Sequence, residues 1–225
     1  MNPTQLLQFF EARKSRAEPL VPVTVYETEG STYSKAGAHM LINVNGVFRG
    51  MLSGGCLEGD LAVRAQQVLE SNRPQIVKYD LAGDDELWGL GVGCDGMMRI
   101  VLHPLSPGND YAPFADIAAI LRSRDPGRVT IGLPGEQPGE ISLPVVPPPQ
   151  VLILGAGLDA QPVLHIASEL GWRCTVVDHR PAYFEAGDFS KATATHCMPA
   201  EQLAAKLELT QFAMAIVMSH HLESE

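Results

Sequence analysis

Two cysteines stand in glycine-rich runs, a setting in which a thiol can do chemistry. Cys56 lies in SGGCLEGD at 53–60, directly after Gly54 and Gly55 and just ahead of a helical pattern. Glycines have no side chains to cover a sulfur, and N–H groups at a helix N-terminus favour a thiolate and lower the thiol pKa. Cys94 lies in a second such run, GLGVGCDG at 89–96. Together they suit a site that handles something anionic or sulfur-bearing. A structural thiol packed under the following helix is the other reading of each. Glu58 and Asp60 read as first-turn acids that favour the helix dipole. Cys174 and Cys197 fall in apolar stretches and are expected in the core.

A second constellation is GAGLDA at 155–160, which follows the apolar run VLIL and opens a helical pattern. Gly155 permits a tight turn, Gly157 lets backbone approach a pyrophosphate, and Ala160 is small enough for helix–strand packing. Asp178 ends the next apolar run, CTVVD, where an acid accepts hydrogen bonds from a ribose hydroxyl. Arg180 is placed to meet a phosphate instead, so the choice between an NAD(P)-like nucleotide and another ligand stays open. A Rossmann-type fold that binds no dinucleotide is also consistent with the pattern. The loop GSTYSKAG at 30–37 offers Ser31, Ser34 and Lys35 to a phosphate, though ordinary surface loops have the same make-up. His220 and His221 follow FAMAIVM, at the carboxyl end of a strand if that run is one. Solvent exposure suits two adjacent histidines better than one shared metal.

The elements that position these residues follow from periodicity. Leu6, Leu7, Phe9 and Phe10 mark a helix over about 4–16. PVTVYETE at 22–29 alternates as a strand. HMLINVNGVFRGML at 39–52 reads as a hairpin turning at Asn45-Gly46. A helix over about 57–71 presents Leu57, Leu61, Ala65, Val68 and Leu69 on one face. Strands are expected at 75–81, 97–105 and 128–133, with a helix near 113–123. Six prolines between Pro134 and Pro149 cannot continue a helix or a central strand, so a linker is placed at 134–149. Beyond it, VLIL is a strand buried on both faces, followed by a helix with Val163, Ile166, Ala167 and Leu170 at helical spacing. The fold class is therefore α/β. An N-terminal α/β domain at 1–133 precedes a Rossmann-like parallel-sheet domain at 150–225, expected to be incomplete.

Composition sets limits. The chain has 225 residues, is 45% hydrophobic and carries a net charge of −10. It is long enough to bury a substantial core. With no lysine- or arginine-rich block, nucleic acid is excluded as a main ligand, because phosphate neutralisation needs clustered cations. No run of about 18 apolar residues suggests a membrane span. The start lacks a secretory pattern, and four widely spaced cysteines make no disulfide framework or C-x-x-C metal pair, so a cytoplasmic protein with reduced thiols is expected.

GSTYSKAGAHML at 30–41, SGGCLEG at 53–59, GLGVGCDG at 89–96, VLILGAG at 151–157 and VVDHRP at 176–181, in that order, resemble the xanthine dehydrogenase accessory proteins, the XdhC/CoxI family. The resemblance implies an N-terminal accessory domain followed by a Rossmann domain. It implies a chaperone-like role in maturing molybdenum hydroxylases: the molybdenum cofactor is held while it gains its terminal sulfido ligand, and is then passed to the apoenzyme. It places the family's cysteine role on Cys56 first and Cys94 second, with Cys56 near the metal or relaying a persulfide. The amides of Gly54, Gly55 and their neighbours would meet the cofactor's phosphate. A molybdenum hydroxylase apoenzyme and a cysteine desulfurase are the implied partners. Two features depart from the family pattern: Asp95 stands where glycine is more usual, and the chain stops at Glu225, with room for about four strands in the Rossmann domain. An incomplete sheet tends to pair with a neighbour, so a homodimer is expected.

Three functions compete at this level: a cofactor-binding maturation factor without turnover, an NAD(P)-dependent oxidoreductase, and a scaffold that docks a partner enzyme and a sulfur donor. No acid–base pair is evident near a nicotinamide position beyond His220 or His221, which disfavours the second.

Overall fold

A computed structural model describes residues 2–81, 96–135 and 138–218. The chain divides into two compact units, one of Gln5–Pro147 and one of Pro148–Glu225 together with Met1–Thr4.

The first unit is built on five antiparallel strands: β1 (Leu20–Gly30), β2 (His39–Asn43), β3 (Phe48–Arg49), β4 (Gln75–Asp80) and β5 (Gly96–Leu102), in the order β3-β2-β1-β5-β4. Helices cover both faces, so β1 is buried without interruption from Leu20 to Tyr26, where simple alternation was expected. Val21, Val23 and Val25 face one core with Met40, Ile42, Ile100 and Leu102. Leu20, Tyr26, Leu41 and Val101 face the other. The first core is closed by α2 (Glu58–Ser71), whose Leu61, Ala65 and Val68 lie on the expected stripe. The second is closed by α1 (Pro3–Lys14) and α3 (Phe114–Arg122). There Phe10 and Phe114 meet with ring centroids 5.0 Å apart, a geometry that adds about 0.5–1.5 kcal/mol to the burial itself.

Segment 134–149, expected as a linker, contains a strand. β6 (Gly127–Leu133) pairs antiparallel with β7 (Gly139–Val145), and Val129, Ile131, Leu143 and Val145 complete the second core. Pro144 is tolerated because the sheet has two strands, each with one unpaired edge.

The other unit is a parallel sheet of β8 (Gln150–Leu154), β9 (Arg173–Asp178), β10 (Ala194–Cys197) and β11 (Met214–Val217) in the order β10-β9-β8-β11. Numbered from β8, that is the 3-2-1-4 order of a Rossmann half. Helices α4 (Ala160–Glu169), α5 (Pro181–Ala186) and α6 (Leu203–Lys206) make the crossovers. The buried stripe of α4 is Ala160, Leu164 and Ala167, whereas Ile166, expected inward, is 61% exposed. Apolar residues surround this helix, and only the sheet selects which of them are covered. Among the described residues no helix is long and apolar enough to cross a membrane.

Candidate functional site

The strand register brings two glycine-rich runs, and Gly96 of the third, to one end of the five-stranded sheet. β1 ends there at Gly30, opposite Gly96 at the start of β5. β2 begins there at His39, and β3 runs back toward it before the SGGC loop. β4 also ends there, with Asp80 opposite Met97. A Cβ on Gly96 would stand 2.5 Å from the Ser31 carbonyl oxygen and 2.8 Å from Thr32 Cγ2, so only glycine fits between β5 and the 30–37 loop. Cys94 lies outside the described residues.

The SGGC loop is organised by a buried carboxylate. Glu58, only 3% exposed, accepts the Leu52 and Ser53 amides on Oε1 at 2.8 and 2.9 Å. Its Oε2 accepts the Gly55 amide at 3.0 Å and the Ser53 hydroxyl at 2.5 Å, and that hydroxyl in turn accepts the Leu57 amide at 2.7 Å. Burial pushes the Glu58 pKa upward, but the Ser53 hydroxyl and the backbone donors outweigh it, and the net direction is down. Glu58 is therefore more than a dipole acid: it takes the amides of Leu52, Ser53 and Gly55, the last of which was expected to face a ligand's phosphate. Gly54 and Gly55 hold φ of +78° and +117°, the left-handed region open to glycine, and a Cβ on Gly55 would meet nothing within 4 Å. Cys56 follows, half-buried, its inner side against the core under α2. Asp60, one turn on, accepts from Arg64 Nε at 2.6 Å and from the Tyr79 hydroxyl, tying α2 to β4.

Tyr33 belongs to the same end of the sheet. Its ring carbons Cδ2 and Cε2 lie 3.4 Å from where a Gly54 Cβ would stand, yet the residue is 63% exposed. Its loop is held internally. Thr32 Oγ1 donates to the Ser34 carbonyl at 2.7 Å, and Lys35 Nζ donates to Gly30 O at 3.3 Å and Thr32 Oγ1 at 3.2 Å. His39, close behind, is a core group: burial lowers its pKa to about 4 and Nδ1 is 3.0 Å from Thr24 Oγ1.

In the parallel-sheet unit, Gly155 makes the expected turn with φ +121°. The crevice at the carboxyl ends of β8 and β9 is lined by Leu154, Gly155, Asp178, Arg180, Met198 and Leu203. Asp178 does not hold out a free carboxylate there. Oδ2 accepts the Ala156 amide at 2.8 Å and Arg180 Nη2 at 2.9 Å, while Oδ1 accepts the Arg180 amide and Nε, both at 2.9 Å. Burial works to raise its pKa, but Arg180 and the two amides prevail and bring it to about 2. Arg180 in turn lies 3.9 Å from the centroid of the Tyr183 ring. The ribose acceptor expected at Asp178, and the phosphate partner expected at Arg180, are thus engaged with each other.

Cys174 is buried and its thiol pKa is raised by that burial. Cys197, expected in the core, is exposed on β10, which among the described residues is an edge strand. Among the described residues no three His, Cys, Asp or Glu side chains converge as a metal site. His220 and His221 lie outside the described residues. Glu58 as loop organiser and Tyr33 as an exposed neighbour escaped the sequence reading. Ser53 and Glu58 are spaced more widely than the Ser-x-x-Glu of a capping box, so no local motif signalled the former.

The XdhC and CoxI family model matches residues 14–80, and the XdhC Rossmann domain model matches residues 151–225. A protein named as a probable xanthine dehydrogenase subunit, from Bacillus subtilis (strain 168), is 27% identical, over 92% of this chain and 74% of that protein. A molybdenum cofactor insertion chaperone, PaoD, from Escherichia coli (strain K12) is 25% identical, over 79% of this chain. This chain spans 58% of the length of PaoD. The crystal structure of a xanthine dehydrogenase from Bacillus halodurans superposes with a TM-score of 0.81 at 26% identity, covering 100% of this chain and 76% of that one.

Proposed function

The chain belongs to the XdhC and CoxI family, and from that premise we propose that it is a maturation factor that receives molybdenum cofactor as cargo, keeps it while its terminal sulfido ligand is added, and delivers it to a molybdenum hydroxylase apoenzyme. The likeness to a protein named as a molybdenum cofactor insertion chaperone supports the cargo, and the likeness to one named for xanthine dehydrogenase supports the class of recipient. A cysteine desulfurase is the proposed sulfur donor.

The observation that carries the reading is the position of Cys56, half-buried beyond two glycines in a loop braced from below by Glu58. The cargo supplies a soft metal centre, for which a thiolate is a matched donor. Cys56 would hold that end, and the open space at Gly55 leaves room for the cargo to approach the sulfur. The cargo's phosphate does not fit the inward-turned amides of Leu52, Ser53 and Gly55. Lys35, exposed in the neighbouring loop, is the cation offered to it. The chain's own work is then to bind, orient and shield, with no turnover of its own.

The test is retention. Purified protein is mixed anaerobically with molybdenum cofactor released from a donor enzyme, and co-eluting molybdenum is measured for wild type and for Cys56→Ser. Retention by wild type and a loss of at least about tenfold in affinity for the variant are expected, since one metal–ligand contact is removed. Equal retention by both would remove Cys56 from the site, and none by either would overturn the cargo reading.

A further inference from the structure

Tyr33 is a large aromatic residue kept in water by a loop that is itself well tied. Leaving such a ring 63% exposed forgoes apolar burial that a turn toward either core would provide. One edge faces the glycine loop, with Cδ2 and Cε2 at 3.4 Å from the place a Gly54 side chain would occupy. Any larger residue at position 54 would meet the ring, and φ of +78° there already favours glycine. The backbone on either side is held by the Thr32 hydroxyl on Ser34 O and by the Ser34 hydroxyl on Met51 O at 3.5 Å. Cys56 is two residues beyond the supporting glycine, and Met51, 44% exposed, lies before it.

We propose that Tyr33 is a specificity residue of the cargo site: its exposed ring packs against the planar pyrimidine part of the pterin in the ligand whose metal end is held at Cys56. This rests on the maturation reading above. A flat heterocycle gains from an aromatic neighbour at stacking or edge distance, and a tyrosine, with two side-chain torsions, loses little conformational entropy on binding. The positive φ at position 54 accounts for the glycine there, and its lack of a side chain leaves the ring space beside the Cys56 loop. A ligand presenting only phosphate or only a metal ion would gain nothing from Tyr33, so the residue discriminates for the pterin.

The experiment measures co-elution of metal-free molybdopterin, quantified after oxidation to a fluorescent pterin, and separately co-elution of the complete molybdenum cofactor, for wild type, Tyr33→Phe and Tyr33→Ala. Circular dichroism and melting curves confirm that the variants fold. Wild type and Tyr33→Phe are expected to agree within about twofold on both ligands, while Tyr33→Ala binds both about five- to tenfold more weakly, the range expected for one aromatic contact. Wild type and Tyr33→Ala binding equally well would overturn the role of Tyr33 and leave the maturation reading standing. Tyr33→Phe weakening as much as Tyr33→Ala would also overturn it, because the hydroxyl and not the ring face would then be the recognised group. No binding of either ligand by wild type would overturn the maturation reading, and this inference with it.

Discussion

Glu58 turns its charge inward. Three backbone amides and one hydroxyl converge on a carboxylate that is almost fully buried, a cluster that takes the place of an external anion. Replacing it with alanine would strand those donors, each of which costs about 1–3 kcal/mol when left unsatisfied. Glu58→Ala is accordingly expected to lose about 3 kcal/mol or more in urea unfolding, since several donors are stranded at once. The pH dependence has a definite sign. The folded-state pKa lies below the unfolded one, so the carboxylate stabilises the fold above about pH 4.3 and that contribution is lost as pH falls through the lower folded value. The gap between wild type and Glu58→Ala should therefore be widest near neutrality and close in acid. A gap independent of pH would mean that the carboxylate's charge is not what holds the loop. Asp178 obeys the same rule with a different partner. Its oxygens are filled by Arg180 and two amides, and this opposes the ribose-binding role that its position at the end of β9 suggested.

Helix α4 illustrates what periodicity leaves open. Val163, Ile166, Ala167 and Leu170 form a stripe on paper, as do Ala160, Leu164 and Ala167. The sheet covers the second. Leu164→Ala is expected to destabilise by about 2–4 kcal/mol, as buried leucine truncations do, while Ile166→Ala should stay within about 0.5 kcal/mol. Comparable losses at the two positions in thermal melts would place Ile166 back in a core. The helix α2 stripe was unambiguous by contrast, because its outward positions are mostly charged or polar. The β6–β7 hairpin was read as a strand followed by a linker, since prolines mask a strand whose pairing partner is a single neighbour.

At the scale of the whole molecule, β11 and β10 are the edges of the parallel sheet among the described residues. Met214 and Val217 on β11 are 41% and 49% exposed. Among the described residues no strand pairs with the outer side of β11, and apolar side chains on such an edge favour pairing with another chain. We propose a homodimer through this edge, which light scattering would detect, with Val217→Lys shifting it toward monomer; a monodisperse wild-type monomer would count against that assembly. The α/β class, the strand–glycine turn–helix–strand order around GAGLDA, the α2 stripe and the family were all determined by the sequence alone. Each of these depends on residues close together in the chain, where side-chain period and glycine placement act locally. The tertiary structure alone decided which anion the SGGC loop holds, whether Asp178 is free, which face of α4 is covered, and that Cys197 sits at an edge and not in the core. These are questions of which partner arrives from elsewhere in the fold. A carboxylate, an amide or an apolar face is satisfied by whatever the closed structure brings within reach, and sequence spacing carries no record of that.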